Sequence, residues 1–349
     1  MLLIAAAAQE QQPAYTGPSG TPGDYVIHNF RFASGETLPE LRLHYVTLGK
    51  AERDAQGKVT NAVLILHGTS GSSKQFLVPQ FAGVLFGPGQ LLDINRYFII
   101  IPDNFGHGGS TKPSEGMHAR FPHYGYHDMI DLQHQLLVNG LKVNHLRLIL
   151  GTSMGCMHSW MWGETYPEFV DALMPLACLP VQIAGRNRTW RKMLMDGIRN
   201  DPEWKNGDYT IEPQAGRHTA ANLFIIATSA PILMQKNFPT REAADKNLEQ
   251  ATKNYMARFD ANDLLYAVDA SQDYDPSADL EKITAAVMFV NTADDFINPP
   301  ELGIAEREIK RVKRGKFVLI PASDQTHGHS THTWAAVWQQ YLKELLEEK

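Results

Sequence analysis

Three short strings carry side chains able to do nucleophilic chemistry. Ser153 stands in G-T-S-M-G at 151–155. Asp294 and Asp295 stand in A-D-D-F-I-N-P-P-E at 293–301. His327, His329 and His332 stand in Q-T-H-G-H-S-T-H-T at 325–333. A serine hydroxyl attacks a carbonyl only when a base takes its proton, and the base works best when an acid fixes its tautomer. G-x-S-x-G has this meaning in one setting, a strand followed by a tight turn and a helix. The apolar run LRLIL supplies the strand and the stripe Met154, Met157, Met161 starts the helix. In such a setting the partners follow in the order serine, acid, histidine. Spacing alone leaves Asp294 and Asp295 both open. It favours His329, which follows Gly328 and precedes the terminal helix. Backbone N–H groups aimed at the developing oxyanion contribute about 3–4 kcal/mol per donor. The expected donors are Met154, after the nucleophile, and Thr69 in HGTSGS at 67–72. His67 is read as a brace for that loop.

The elements that must position these residues are legible as patterns. Short apolar runs at 62–68, 97–103, 146–153, 172–178, 285–292 and 316–321 read as strands buried on both faces. Between them lie helical stretches, among them 127–141 and the terminal TWAAVWQQYLKELLEEK. In the latter, Trp334, Val337, Trp338, Tyr341, Leu342 and Leu345 step by three and four. Alternation of this kind predicts an α/β architecture, a mostly parallel central sheet with helices on both faces. YVIHNFRF and LRLHYVTLG near the start predict an antiparallel edge pair. The alternation breaks between about 181 and 275, where the pattern is helical, and this stretch is expected to be an inserted lid. The core is then 24–180 plus 276–349. Residues 1–23, rich in Gly, Pro, Gln and Ser, are expected to be disordered.

Composition excludes several classes. The chain has 349 residues, a formal charge of −6, and 43% hydrophobic residues. No block of Lys and Arg points to nucleic acid, and no apolar run is long enough for a transmembrane helix. There is no phosphate-loop or dinucleotide fingerprint, so no cofactor is expected, and PDNFGHGGSTKPS at 102–114 reads as a tight loop. The three late histidines fit no zinc spacing, so no metal is expected. Cys156 and Cys178 are too few for a disulfide framework and read as small buried residues. MLLIAAAA followed by QEQQPAYTGPSGTPGD reads as the tail of a secretory signal without its basic part, which predicts a periplasmic or secreted protein. The alternative is a floppy cytoplasmic tail.

Taken together, HGTSG at 67–71, GTSMG, RNDPEW at 199–204, RFDANDLLY at 258–266, DFINPPE at 295–301 and GH at 328–329 resemble the homoserine O-acetyltransferase branch of the α/β-hydrolase superfamily. The resemblance runs from about 40 to 345. It implies an α/β-hydrolase fold, a triad of Ser153, Asp295 and His329, and oxyanion donors at Thr69 and Met154. It also implies pairing through the lid into a homodimer. Two positions depart from the family. Its lid arginine, which grips an amino-acid carboxylate six residues before the D-P, is Met195 here. Its aspartate after the histidine, which receives the amino group, is Ser330 here. Arg186, Arg188, Arg191 or Arg199 could stand in from a neighbouring turn, but such positioning is geometric, and compensation is not expected. The expected activity is therefore hydrolysis of a small carboxylic ester through an acyl-enzyme. The alternative is transfer of an acetyl group from acetyl-CoA to an alcohol.

Overall fold

A computed structural model describes residues 15–348. Its strands are β1 (Thr21–Arg31), β2 (Thr37–Leu48), β3 (Ala62–Leu66), β4 (Phe98–Pro102), β5 (Leu148–Thr152), β6 (Ala172–Leu176), β7 (Ala286–Thr292) and β8 (Gly315–Ile320). They form one sheet in the order β1-β2-β4-β3-β5-β6-β7-β8. Contacts from β4 through β8 are parallel, while β1–β2 and β2–β4 are antiparallel. The apolar runs explain this. Every residue of β3, β5, β6 and β7 is buried, as a strand covered on both faces requires. Alternate residues serve opposite cores. Leu64 and Leu66 pack on one side of the sheet, Val63 and Ile65 on the other.

Helices cover both faces. On the first lie α1 (Tyr126–Gln135), through Met129, Ile130 and Leu132, and α2 (Met154–Thr165), through Met157, Trp160 and Met161. Between β6 and β7 come α3 (Gly185–Arg199), α4 (Gln214–Thr228), α5 (Pro231–Asn237), α6 (Arg241–Met256) and α7 (Ala261–Asp269). They share an apolar cluster of their own, with Trp190, Leu194, Met195 and Ile198 from α3 against Leu264, Leu265 and Val268 from α7. Ile297, from the loop after β7, joins that cluster and ties these helices to the sheet. Asp260 caps α7 by accepting from the N–H groups of Asn262 (2.9 Å) and Asp263 (3.0 Å). On the second face, α8 (Ala335–Glu347) docks through Trp338, Leu342 and Leu345. Trp334 instead stacks on His327, with ring centroids 3.7 Å apart.

Two expectations are corrected. Residues 21–23 are ordered strand, because Thr21, Pro22 and Gly23 pair with Thr47, Val46 and Tyr45 of β2. A composition poor in apolar side chains does not stop a backbone from pairing with a free sheet edge. The expected disorder and signal of residues 1–14 lie outside the described residues. Cys156 and Cys178 are fully buried, but they are bonded to each other, with Cα atoms 5.9 Å apart. The bond joins the first turn of α2 to the end of β6. Neighbouring parallel strands bring the two ends together, a proximity that a separation of 22 residues does not announce.

Candidate active site

Ser153 ends β5 and opens α2 with φ 53° and ψ −107°. A side-chain-bearing residue holds a left-handed φ only when its surroundings enforce it. Here the turn is so tight that a Cβ on Gly151 would strike the Gly155 carbonyl, and one on Gly155 the Leu66 carbonyl. The Ser153 N–H donates to Leu176 O (2.9 Å) and the Gly155 N–H to His67 O (3.0 Å), so neighbouring strands pin the turn.

The loops after β7 and β8 bring the other two residues in. His329 Nε2 lies 2.8 Å from Ser153 Oγ, and His329 Nδ1 lies 2.9 Å from Asp295 Oδ2. Asp295 is buried, and Oδ1 accepts from the N–H groups of Ile297 (2.8 Å) and Asn298 (3.2 Å). Oδ2 accepts from Asn298 Nδ2 (2.9 Å) as well. Burial alone would raise this carboxyl, but His329 and these donors outweigh it and hold it below its usual range. Asp294, the other candidate acid, braces the histidine turn by accepting from Thr326 Oγ1 (2.7 Å) and the Gly328 N–H (3.1 Å). His332 sits edge-on to His329, 5.4 Å between centroids, and burial followed by the charge of His329 pushes it down to about 3. It is a neutral wall.

Thr69 and Met154 lie on the loop after β3 and on the first turn of α2. Among the described residues, neither backbone N–H has an acceptor. The Thr69 loop is held from behind. The His107 ring spans the carbonyls of Phe105 and Thr69 at 2.9 Å each, and Gln75 Oε1 accepts from the Gly68 N–H (3.2 Å). His67 is fully buried, donates to Gly68 O (2.8 Å) and accepts from the Asn104 N–H (3.0 Å). Burial, then nearby His107, pushes it down to about 4.

Ser153 and His329 open into a cavity of about 730 Å³, with Trp190, Arg191 and Tyr255 among its walls. Ser330 lines it, with its hydroxyl donating to Thr228 O (3.4 Å). Met195 lies fully buried in the helical cluster between β6 and β7, and the cavity wall on α3 is made by Trp190 and Arg191. The four arginines differ. Arg186 reaches the Phe296 carbonyl, Arg199 pairs with Asp269 (3.2 Å), Arg188 is half-buried, and Arg191 is buried. Among the described residues there is no cluster able to hold a metal, and no helix is long and apolar enough to cross a membrane.

A family model for the alpha/beta hydrolase fold matches residues 61–324. The chain belongs to this family, in its homoserine O-acetyltransferase-like branch. It is 30% identical over 283 residues to a probable acyltransferase of Methanothermobacter thermautotrophicus, covering 80% of this chain and 85% of that one. It is 28% identical over 340 residues to a homoserine O-acetyltransferase of Pelobacter propionicus, covering 87% and 90%. A crystal structure of an acetylester hydrolase from Corynebacterium glutamicum superposes with a TM-score of 0.82 at 20% identity, covering 94% of this chain and 96% of that one. This last likeness bears on the fold. The sequence relatives of this α/β-hydrolase are named for acyl transfer.

Proposed function

We propose that this α/β-hydrolase is a serine esterase that cleaves a small carboxylic ester through an acyl-enzyme on Ser153. The observation that carries the reading is the continuous hydrogen-bonded chain from Ser153 through His329 to Asp295, opening into the cavity. His329 Nε2 takes the serine proton as Oγ adds to the ester carbonyl. The N–H groups of Thr69 and Met154 receive the oxyanion. His329 then gives its proton to the departing alcohol and, in the second half, takes one from the attacking water. Asp295 holds the imidazole in its useful tautomer and stabilises the imidazolium. Hydrolysis is favoured over transfer by Ser330, which lines the cavity uncharged at the position where a transferase of this branch would receive the acceptor's amino group.

Acyl transfer from acetyl-CoA to an alcohol is the second reading, favoured by the names of the relatives. One preparation tests both. Release of p-nitrophenol from p-nitrophenyl acetate without thiol release from acetyl-CoA supports the esterase. Thiol release that depends on L-homoserine would replace it with the transferase.

Two further features belong to the same proposal. The Cys156–Cys178 bond supports an oxidising compartment, hence export, since such bonds are rare where thiols are kept reduced. Of the seven exposed large apolar side chains among the described residues, five (Met193, Ile211, Ile226, Ile232 and Leu248) lie on the lid stretch. This supports a homodimer through the lid, and a monomeric mass in solution would count against it.

A further inference from the structure

The lid wall holds a buried cation that the chain leaves uncompensated. Arg191 is 2% exposed. Its Nε donates to Asn187 Oδ1 (3.0 Å) and its Nη1 to Ser271 Oγ (3.3 Å), and the Tyr126 hydroxyl lies within hydrogen-bond reach of the guanidinium, so every partner the chain offers it is neutral. Its guanidinium lies 5.0 Å from the Trp190 ring centroid. The charges that act on it come from Tyr126 and Arg188, with no carboxylate among them. The Tyr126 hydroxyl is itself buried, and burial raises its pKa, so it stays neutral and cannot serve as the counterion. Taking a guanidinium out of water without an anion is unfavourable, and folded chains rarely leave one so. Arg191 also lines the cavity that holds Ser153 and His329.

One neighbouring group on that wall repeats the pattern. Trp190 Nε1 is buried without a hydrogen-bond partner among the described residues, and the residue lines the cavity. The lining is positive as a whole. Lys74, Lys112 and Arg258 join Arg191, against the single acid Asp263. That acid is already engaged by Ser114 (2.7 Å) and Lys112 (3.6 Å). A chain with a net charge of −6 therefore presents a cationic cavity.

We propose that the ester hydrolysed here carries a carboxylate, and that it is bound by the buried guanidinium of Arg191, which the chain holds only through neutral groups. The inference rests on the esterase reading above and adds the substrate class. Position 330, where a transferase of this branch carries the carboxylate that receives an ammonium group, is a serine here, so the class is an anionic ester without a free amine. Arg191 is a specificity-determining residue one helical turn before Met195.

The test compares two pairs of esters matched in size. Acetoxyacetate is set against its methyl ester, and mono-p-nitrophenyl succinate against p-nitrophenyl butyrate, so that the carboxylate is tried on the alcohol and on the acyl side. The readout is the ratio of kcat/KM, anionic over neutral, within each pair, which cancels any loss of folded enzyme. Wild type is expected to favour the anion in one pair by at least about tenfold. Arg191→Met is expected to lower that ratio about 100-fold, and Arg191→Lys about tenfold. A ratio that Arg191→Met leaves unchanged in both pairs overturns the proposal and makes the residue structural. Should Arg191→Met be inactive, the ratio for Arg191→Lys decides on the same terms. Binding of acetoxyacetate and of mono-p-nitrophenyl succinate to Ser153→Ala by calorimetry, repeated with Arg191→Met added, gives a measurement independent of turnover. Binding of either that is lost in the double variant supports the site, and binding of both that is equal in the two variants refutes it. Full hydrolysis by Ser153→Ala would refute the esterase mechanism instead, leaving the calorimetry to judge Arg191.

Discussion

The two walls of the cavity treat their polar groups in opposite ways. On the sheet side the three side chains of the proposed triad are already bonded within the protein. Ser153, His329 and Asp295 form one chain, and both Asp295 oxygens have further donors. On the lid side the polar groups are short of partners: Arg191 has only neutral ones, and Trp190 Nε1 has none among the described residues. A satisfied network is rigid and fixes geometry before the substrate arrives. An unsatisfied one is costly until a ligand completes it, which is how a site discriminates. On the function proposed above, the sheet wall serves the reaction and the lid wall the choice of substrate.

Breaking the sheet wall produces the largest effects. Ser153→Ala is expected to lower kcat for p-nitrophenyl acetate by about 10⁵–10⁶, and a fluorophosphonate should then fail to label the protein. Residual activity within about tenfold of wild type would remove Ser153 from the mechanism. Asp295→Asn keeps the shape of the side chain but presents an amide where His329 Nδ1–H needs an acceptor. The expected loss is about 10⁴ in kcat at neutral pH. A loss below about tenfold would mean that the fully buried contact to His329 is structural only.

Ser153 and His329 were legible as candidates in the sequence because their signals are local, while the choice of Asp295 over Asp294 came from the family resemblance alone. Gly151 and Gly155 flank a strained serine, and DFINPPE and GH follow buried strands. The strands themselves were legible because a segment covered on both faces must be apolar throughout. What escaped is what only packing decides. Arg186, Arg188 and Arg191 sit within six residues of one Arg-rich helix, and the string RNRTWRKM does not say which one turns inward. Cys156 and Cys178 carry no local sign of each other, and Thr21 to Gly23 become a strand only because β2 offers an edge.

The disulfide sharpens the comparison, because it stiffens the sheet wall alone. It joins the helix behind Ser153 to β6 and closes a loop of 22 residues. A loop of that length confers about 3 kcal/mol in the chain-entropy account. Cys156→Ala with Cys178→Ala should therefore lower the calorimetric melting temperature clearly while the anionic-to-neutral ratio set by Arg191 stays where it was. A fall in that ratio would mean that the two walls are mechanically coupled and the contrast drawn between them is wrong.

The smallest expected effect concerns a polar group left open where no ligand can reach it. Glu164, near the end of α2, is half-buried, does not line the cavity, and its Oε2 has no hydrogen-bond partner among the described residues. Burial first, and Asp279 second, push its carboxyl up to about 8 from an ordinary 4.5. The folded chain then keeps a proton that the unfolded chain releases above pH 4.5, so this group makes stability fall as pH rises from there to about 8. Glu164→Gln removes that proton-linked loss. Its melting temperature should match wild type near pH 4 and exceed it by about 2 °C near pH 8. A gain that is the same at both pH values would mean that the carboxyl titrates normally. If the gain does grow with pH, an open polar group away from the cavity is only a liability, which is the contrast that the proposal for Arg191 needs.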